Sequence, residues 1–233
     1  MRRLDKEQLS SLEETCRDYE IALSVNPEAL SYLHGRGLSL PTIDRFRLGL
    51  VESPSPSHRT VAGWLSMPTL KGVGVTGFKF RCIKPECVSG EVEKHDGHPK
   101  YLTYDPQALG NVADLDTDLG FIVVCEGELD AYILSGECGI PAIPMPGASA
   151  WKGHRHWRRL LKDFRTIYVI PDDDAHLKAN VGRKMAEEIR ADLPQATIVE
   201  LPSLTEGKKT DVNDIFIARG RDYLRSLVGL EAA

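Results

Sequence analysis

The sequence predicts an α/β protein: a mixed α+β N-terminal subdomain over residues 1–115, then a parallel sheet with helices on both faces over residues 116–233. Three observations predict it. The composition changes near residue 115, from Gly, Pro and Ser between short apolar runs to apolar runs alternating with amphipathic stretches. Residues 121–125, FIVVC, form a continuous apolar run that needs cover on both faces, as strands of a parallel sheet do. Strands that alternate with helices imply parallel pairing through right-handed crossovers.

The elements follow in order. Residues 5–23 carry helical spacing, with Leu9, Leu12, Cys16, Tyr19 and Leu23 on one side. Asn26 before Pro27 reads as an N-cap and a first helical position. That helix runs to His34 and stops at Gly35 and Gly37. A third, short helix spans 41–46, and SPSPSH at 53–58 is a loop. Residues 72–81, GVGVTGFKFR, alternate as a strand, and residues 85–99 read as a long polar loop. In the second half the strands are 121–125, 140–143, 166–170 and 197–201. The helices are 129–138, 184–193 (ended by Pro194) and 212–219.

Charge and composition exclude several functions. With 29 basic and 34 acidic residues the net charge is −5, so contact with nucleic acid must come from local basic patches. No stretch approaches a membrane span in length and apolarity. The start, MRRLDKEQLSSLEE, lacks the apolar run of a secretory signal. Five scattered cysteines, an odd number, point to a reduced, cytoplasmic protein.

The acids carry the chemistry. Residues 121–125 run into Glu126-Gly127-Glu128-Leu129-Asp130, and residues 166–170 run into Pro171-Asp172-Asp173-Asp174. After the last strand comes Lys209-Thr210-Asp211-Val212-Asn213-Asp214. Ligands of open parallel sheets bind beyond the carboxyl ends of the strands, where these clusters fall. Converging carboxylates raise one another's pKa, and a hard divalent cation such as Mg²⁺ removes that penalty. Asp172 and Asp174 alternate at a strand end and point the same way. Gly127 lets the chain turn tightly between Glu126 and Asp130. Taken singly, any one cluster could be helix caps and solvated loop residues, as Asp173 is expected to be.

VVCEGELDAYIL, followed by IYVIPDDDA, resembles the Toprim domain of primases, topoisomerases and certain nucleases. SYLHGRGLSLPTIDRFRLGL, GVTGFKFRC and HPKYLTYDP resemble the N-terminal subdomain of the DnaG-type primase catalytic core, bacterial or phage. The resemblance spans residues 25–225 and implies a DNA primase, a nucleotidyltransferase that makes short RNA primers on single-stranded DNA. It implies a Toprim-type sheet in which Glu126, Asp130, Asp172 and Asp174 are catalytic, with Mg²⁺ or Mn²⁺ on Glu126, Asp172, Asp174 and Asp211. Asn213 stands where the family has a second late acid; Asp214 beside it is a candidate replacement. AHLKANVG intervenes where the family has Ala-Gly soon after the acid pair.

Arg36, Lys79, Arg81 and Lys100 match basic positions of that family. Arg81 and Lys100 are expected in catalysis, Lys79 and Arg36 in nucleotide binding, although each alone also reads as a solvated charge. WKGHRHWRRLLKDFR at 151–165 interleaves Trp151 and Trp157 with basic residues, as single-strand tracks do; the alternative is a packed amphipathic helix. Cys82, Cys87, His95 and His98 are four good ligands for a structural Zn²⁺, or incidental residues of a flexible loop. The expected partners are a single-stranded DNA template, ribonucleoside triphosphates and a separate replicative helicase, with no membrane, in the host cytoplasm for a phage protein. The rival readings are a Toprim metal-dependent nuclease, which needs no ribonucleotide, and a non-enzymatic receiver-like module.

Overall fold

The structure is a computed structural model that describes residues 4–88, 95, 97–104, 109–147, 150–173, 180–205 and 209–231. It divides into two compact units, Met1–Gly35 with Ser39–Ala108, and Arg36–Leu38 with Leu109–Ala233.

In the first unit, Asp5 opens the helix Lys6–Ser24 with a capping box: its carboxylate accepts the Gln8 N–H at 2.9 Å, and the Gln8 side chain accepts the Asp5 N–H at 3.1 Å. Cys16, Tyr19 and Leu23 form the buried face of this helix. The Asn26 side chain caps the helix Pro27–Gly35 by accepting the Ala29 N–H at 2.9 Å. The third helix is Leu40–Arg45.

An antiparallel sheet follows in the order β1 (Gly49–Leu50), β2 (Leu65–Lys71), β3 (Gly74–Arg81) and β4 (Tyr101–Thr103). Tyr19, Val61, Trp64, Val75, Phe78 and Phe80 build its core. Gly49 is required there, because a Cβ would lie 2.6 Å from the Tyr19 Cβ. Only β3 was legible beforehand. β2 carries Pro68 beside an irregularity in its register and four consecutive buried residues, so it shows no alternation. The expected loop begins with a helical turn, Pro85–Val88; residues 89–94 and 96 fall outside the described residues.

In the second unit, β5 (Phe121–Cys125), β6 (Ala142–Pro144), β7 (Thr166–Ile170) and β8 (Ala196–Ile198) form a parallel sheet in the order β6-β5-β7-β8. All five positions of β5 are buried. On one face Ile122, Val124, Ile167 and Val169 pack with Met185, Ala186 and Ile189 of the helix Val181–Asp192. Each of the Ile, Val and Met side chains among them contributes roughly 1.5–3 kcal/mol relative to exposure. Val123 and Cys125 alternate to the opposite face and are equally buried. The helix after β5, Glu128–Tyr132, continues as a wider π turn, Ile133–Glu137. The last helix, Val212–Leu227, passes its expected end with a kink at Gly220, where φ is 76°.

One expectation is corrected here. Trp151 and Trp157 are core residues, 0% and 4% exposed, in the cluster that covers the sheet. The Trp151 Nε1–H donates to Asp192 Oδ2 at 3.0 Å. Their indoles therefore offer no stacking platform, while Lys152, Arg158, Arg159 and Lys162 remain exposed.

Candidate active site

The strand order places the site. From β5 the chain crosses to β6 on one side, then to β7 on the other. The carboxyl ends of β5 and β7 therefore flank a topological switch point, where neighbouring crossovers diverge and leave a crevice. Glu126 directly follows β5, and Asp172 stands two residues past the end of β7. The Asp172 N–H donates to Glu126 Oε1 at 3.3 Å, which ties the two strand ends together.

Asp130 lies one turn into the following helix, 6% exposed. Gly127 makes room for it, since a Cβ there would sit 2.6 Å from Asp130 Oδ2. The third acidic loop is brought in by backbone pairing: the Asp173 N–H donates to the Thr210 carbonyl at 2.8 Å, and the Thr210 N–H to the Asp173 carbonyl at 3.3 Å. Asp211 then caps the helix Val212–Leu227 in a second capping box. It accepts the Asp214 N–H at 2.8 Å, while Asp214 Oδ2 accepts the Asp211 N–H at 3.1 Å.

Cations and amides balance these acids. Arg36 Nη2 pairs with Asp211 Oδ2 at 3.3 Å, and the Lys209 ammonium pairs with Asp172. The Asn213 N–H donates to Asp130 Oδ1 at 3.2 Å, and its side-chain amide donates to the Arg36 carbonyl. Burial holds the Asp130 carboxyl well above the usual carboxylate range. Asp211 and Asp172 push it further up, against Arg36 and the Asn213 N–H. Asp214 is raised as well, by burial first and then by Asp211.

These charges have a measurable consequence. A carboxyl with a raised folded pKa favours folding below its unfolded value, about 3.9, and that contribution is lost as pH rises through the folded value. Metal-free Asp130→Asn is therefore expected to melt higher than the parent near neutral pH, and the gap should close in acid. Melting temperature against pH in a chelating buffer checks it; equal curves would show that Asp130 carries no such strain.

The donor set suits a hard divalent cation in its chemistry: all-oxygen, acidic and partly neutralised by a lysine. Among the described residues no three of these acids bring oxygens within 4.8 Å of one another. Asp174, expected beside Asp172, lies outside the described residues.

The other expected residues gather in the first unit. Arg81, 8% exposed, donates through Nε to the Tyr32 hydroxyl at 2.6 Å and through Nη1 to the Tyr101 hydroxyl. The Lys79 and Lys100 ammoniums stand 4.9 and 5.7 Å from the centroid of the Tyr101 ring, and the Arg81 guanidinium stands 5.0 Å from it. Three cations thus converge on one tyrosine, because β3 and β4 pair Arg81 with Tyr101. Arg36 belongs to the second unit and to Asp211. Cys82, Cys87, His95 and His98 bring their ligand atoms within 4.8 Å of one another.

No known protein-family model matches the chain. It is 35% identical over 131 residues to the gene 57 protein of Mycobacterium phage D29, a match that covers 55% of this chain and 78% of that protein. The chain belongs to the same family as this phage gene 57 protein.

Its fold is that of the primase catalytic core. A structure of the zinc-binding and RNA polymerase domains of the Aquifex aeolicus primase superposes with a TM-score of 0.72 at 20% identity, over 97% of this chain and 63% of that one. The chain thus spans less than two thirds of that relative's length. The RNA polymerase domain of Mycobacterium tuberculosis primase, in complex with a double-stranded DNA oligomer with a 6-nucleotide overhang, gives 0.70 at 18% identity, over 96% and 80%.

Two site residues escaped the sequence reading. Gly182, in the first turn of the helix Val181–Asp192, faces Glu126 so closely that a Cβ would lie 1.7 Å from its Oε1. A glycine just inside a helix that follows strand-end acids was the available signal. Lys209 was visible only as one of two lysines before Asp211.

Proposed function

We propose that this protein is a phage-type DNA primase that synthesises short RNA primers on single-stranded DNA by metal-dependent nucleotidyl transfer. One observation carries the reading: Glu126, Asp130, Asp172 and Asp211 gather at the switch point of a sheet with the primase-core fold. In this reading the parallel sheet is a Toprim-type sheet. Glu126, Asp172, Asp174 and Asp211 hold Mg²⁺ or Mn²⁺, which when bound lowers the pKa of the attacking hydroxyl and neutralises the triphosphate. Asp130 orients this set through the Asn213 N–H that it accepts. Arg36 holds Asp211 in place.

Arg81, Lys79 and Lys100 meet phosphate. Arg81 is held by two tyrosine hydroxyls, so its guanidinium loses little freedom on binding. The template is single-stranded DNA, in keeping with the overhang-bearing complex of the M. tuberculosis domain. A separate replicative helicase would deliver that strand, in the host cytoplasm.

The test incubates the protein with single-stranded DNA, labelled ribonucleotides and Mg²⁺ or Mn²⁺. Short RNA that requires all three is the expected product. DNA cleavage without ribonucleotides would replace this reading with a nuclease.

A further inference from the structure

The first unit holds a ligand cluster that the nucleotidyl-transfer reading does not use. We propose that Cys82, Cys87, His95 and His98 bind one structural zinc ion that clamps the connection between β3 and β4. The proposal stands independently of the primase reading.

The distances suit the ion. Cys87 Sγ and Cys82 Sγ lie 3.5 and 4.0 Å from His98 Nε2. A tetrahedral zinc, with bonds of about 2.3 Å to sulfur and about 2.0 Å to nitrogen, sets ligand edges of about 3.3–3.8 Å. Two thiols and two imidazoles are a complete structural set.

The outer contacts point the same way. His98 Nδ1 lies 3.1 Å from the Pro99 carbonyl. A proton on Nδ1 satisfies that carbonyl and leaves the Nε2 lone pair facing both sulfurs, the second contact that metal-bound histidines make. His95 Nδ1 is buried with no hydrogen-bond partner among the described residues. An orphaned buried polar atom is costly, and a metal bond offsets that cost. His95 also sits in the left-handed region at φ 57°, a conformation costly outside glycine unless something fixes it.

The placement gives the ion its task. Cys82 is the first residue after β3, and its N–H donates to the Lys100 carbonyl at 3.0 Å, next to where Arg81 pairs with Tyr101. Closing residues 82–98 on one ion therefore fixes the base of the hairpin that presents Lys79, Arg81 and Lys100. The sequence between the strands is polar, and the metal supplies order there that apolar side chains supply elsewhere.

Elemental analysis of protein expressed without added metal is expected to find one zinc per chain. Cys87→Ser and His98→Ala should each remove it, while Asp172→Asn and Cys138→Ser keep it. Co²⁺ in place of zinc should show the strong visible bands of a tetrahedral site and sulfur-to-metal charge transfer. The proposal fails if the reduced wild-type chain holds no zinc and takes up no Co²⁺, if Cys82 and Cys87 are isolated as a disulfide, or if Cys87→Ser retains a full equivalent. Should the variants prove insoluble, the wild-type Co²⁺ spectrum decides, because absence of thiolate charge transfer overturns the assignment by itself.

Discussion

Asp172→Asn is expected to cut primer synthesis by about a hundredfold, the upper end of the roughly 10- to 100-fold loss that removal of an outer-shell metal partner causes, while the chain stays folded. Asp172 is 7% exposed and follows the strand whose end joins Glu126 through the Asp172 backbone N–H, not through its side chain. The substitution keeps that N–H and the shape. It removes the carboxylate that the Lys209 ammonium pairs with. That lysine side chain is 46% exposed, so water takes over much of its solvation and the lost pair costs at most about 1 kcal/mol. A compensating gain comes from Asp130, which no longer faces a second buried acid. Stability and activity therefore separate. RNA synthesis per folded molecule, with urea midpoints measured in parallel, checks the expectation. Synthesis within a few-fold of the parent would remove Asp172 from the metal set.

Asn213→Asp restores the acid that the resemblance expects at this position, and it is expected to destabilise the protein by about 2–4 kcal/mol. Asn213 is fully buried, at 0% exposure. Its side-chain amide donates to the Arg36 carbonyl, and a carboxylate cannot donate. The change leaves that carbonyl orphaned, at about 1–3 kcal/mol. It also buries a new charge beside Asp130, whose carboxyl burial and two neighbouring acids already push well above the usual carboxylate range. Asp214 does not relieve the problem, because its carboxylate is committed to the Asp211 N–H in the capping box. Urea unfolding with an unchanged slope and a lower midpoint is the expected result. A change below about 0.5 kcal/mol, the usual limit for an unremarkable surface site, would show that Asn213 is not the structural amide described.

The amino-acid sequence by itself determined the elements whose signals are local. The run 121–125 is apolar at every position because both faces of β5 are covered, and that pattern needs no knowledge of its partners. Asn26 before Pro27 marked a helix start because a cap is made within one turn of chain. The acids after β5 and β7 were legible because strand ends and their carboxylates are adjacent in the chain. Tertiary structure decided whatever depends on pairing between distant residues. β1 and β4 are two and three residues long and exist only through their neighbours in the sheet. Trp151 and Trp157 carry the same local signal whether they face DNA or the core, and packing against the helix Val181–Asp192 placed them in the core. Gly182 against Glu126, Lys209 on Asp172, and Arg36 on Asp211 are contacts across 56, 37 and 175 positions. Periodicity reports which side of an element is apolar; it does not report which charge a folded chain brings to that side, because loop closure and packing set that only once the sheet order exists.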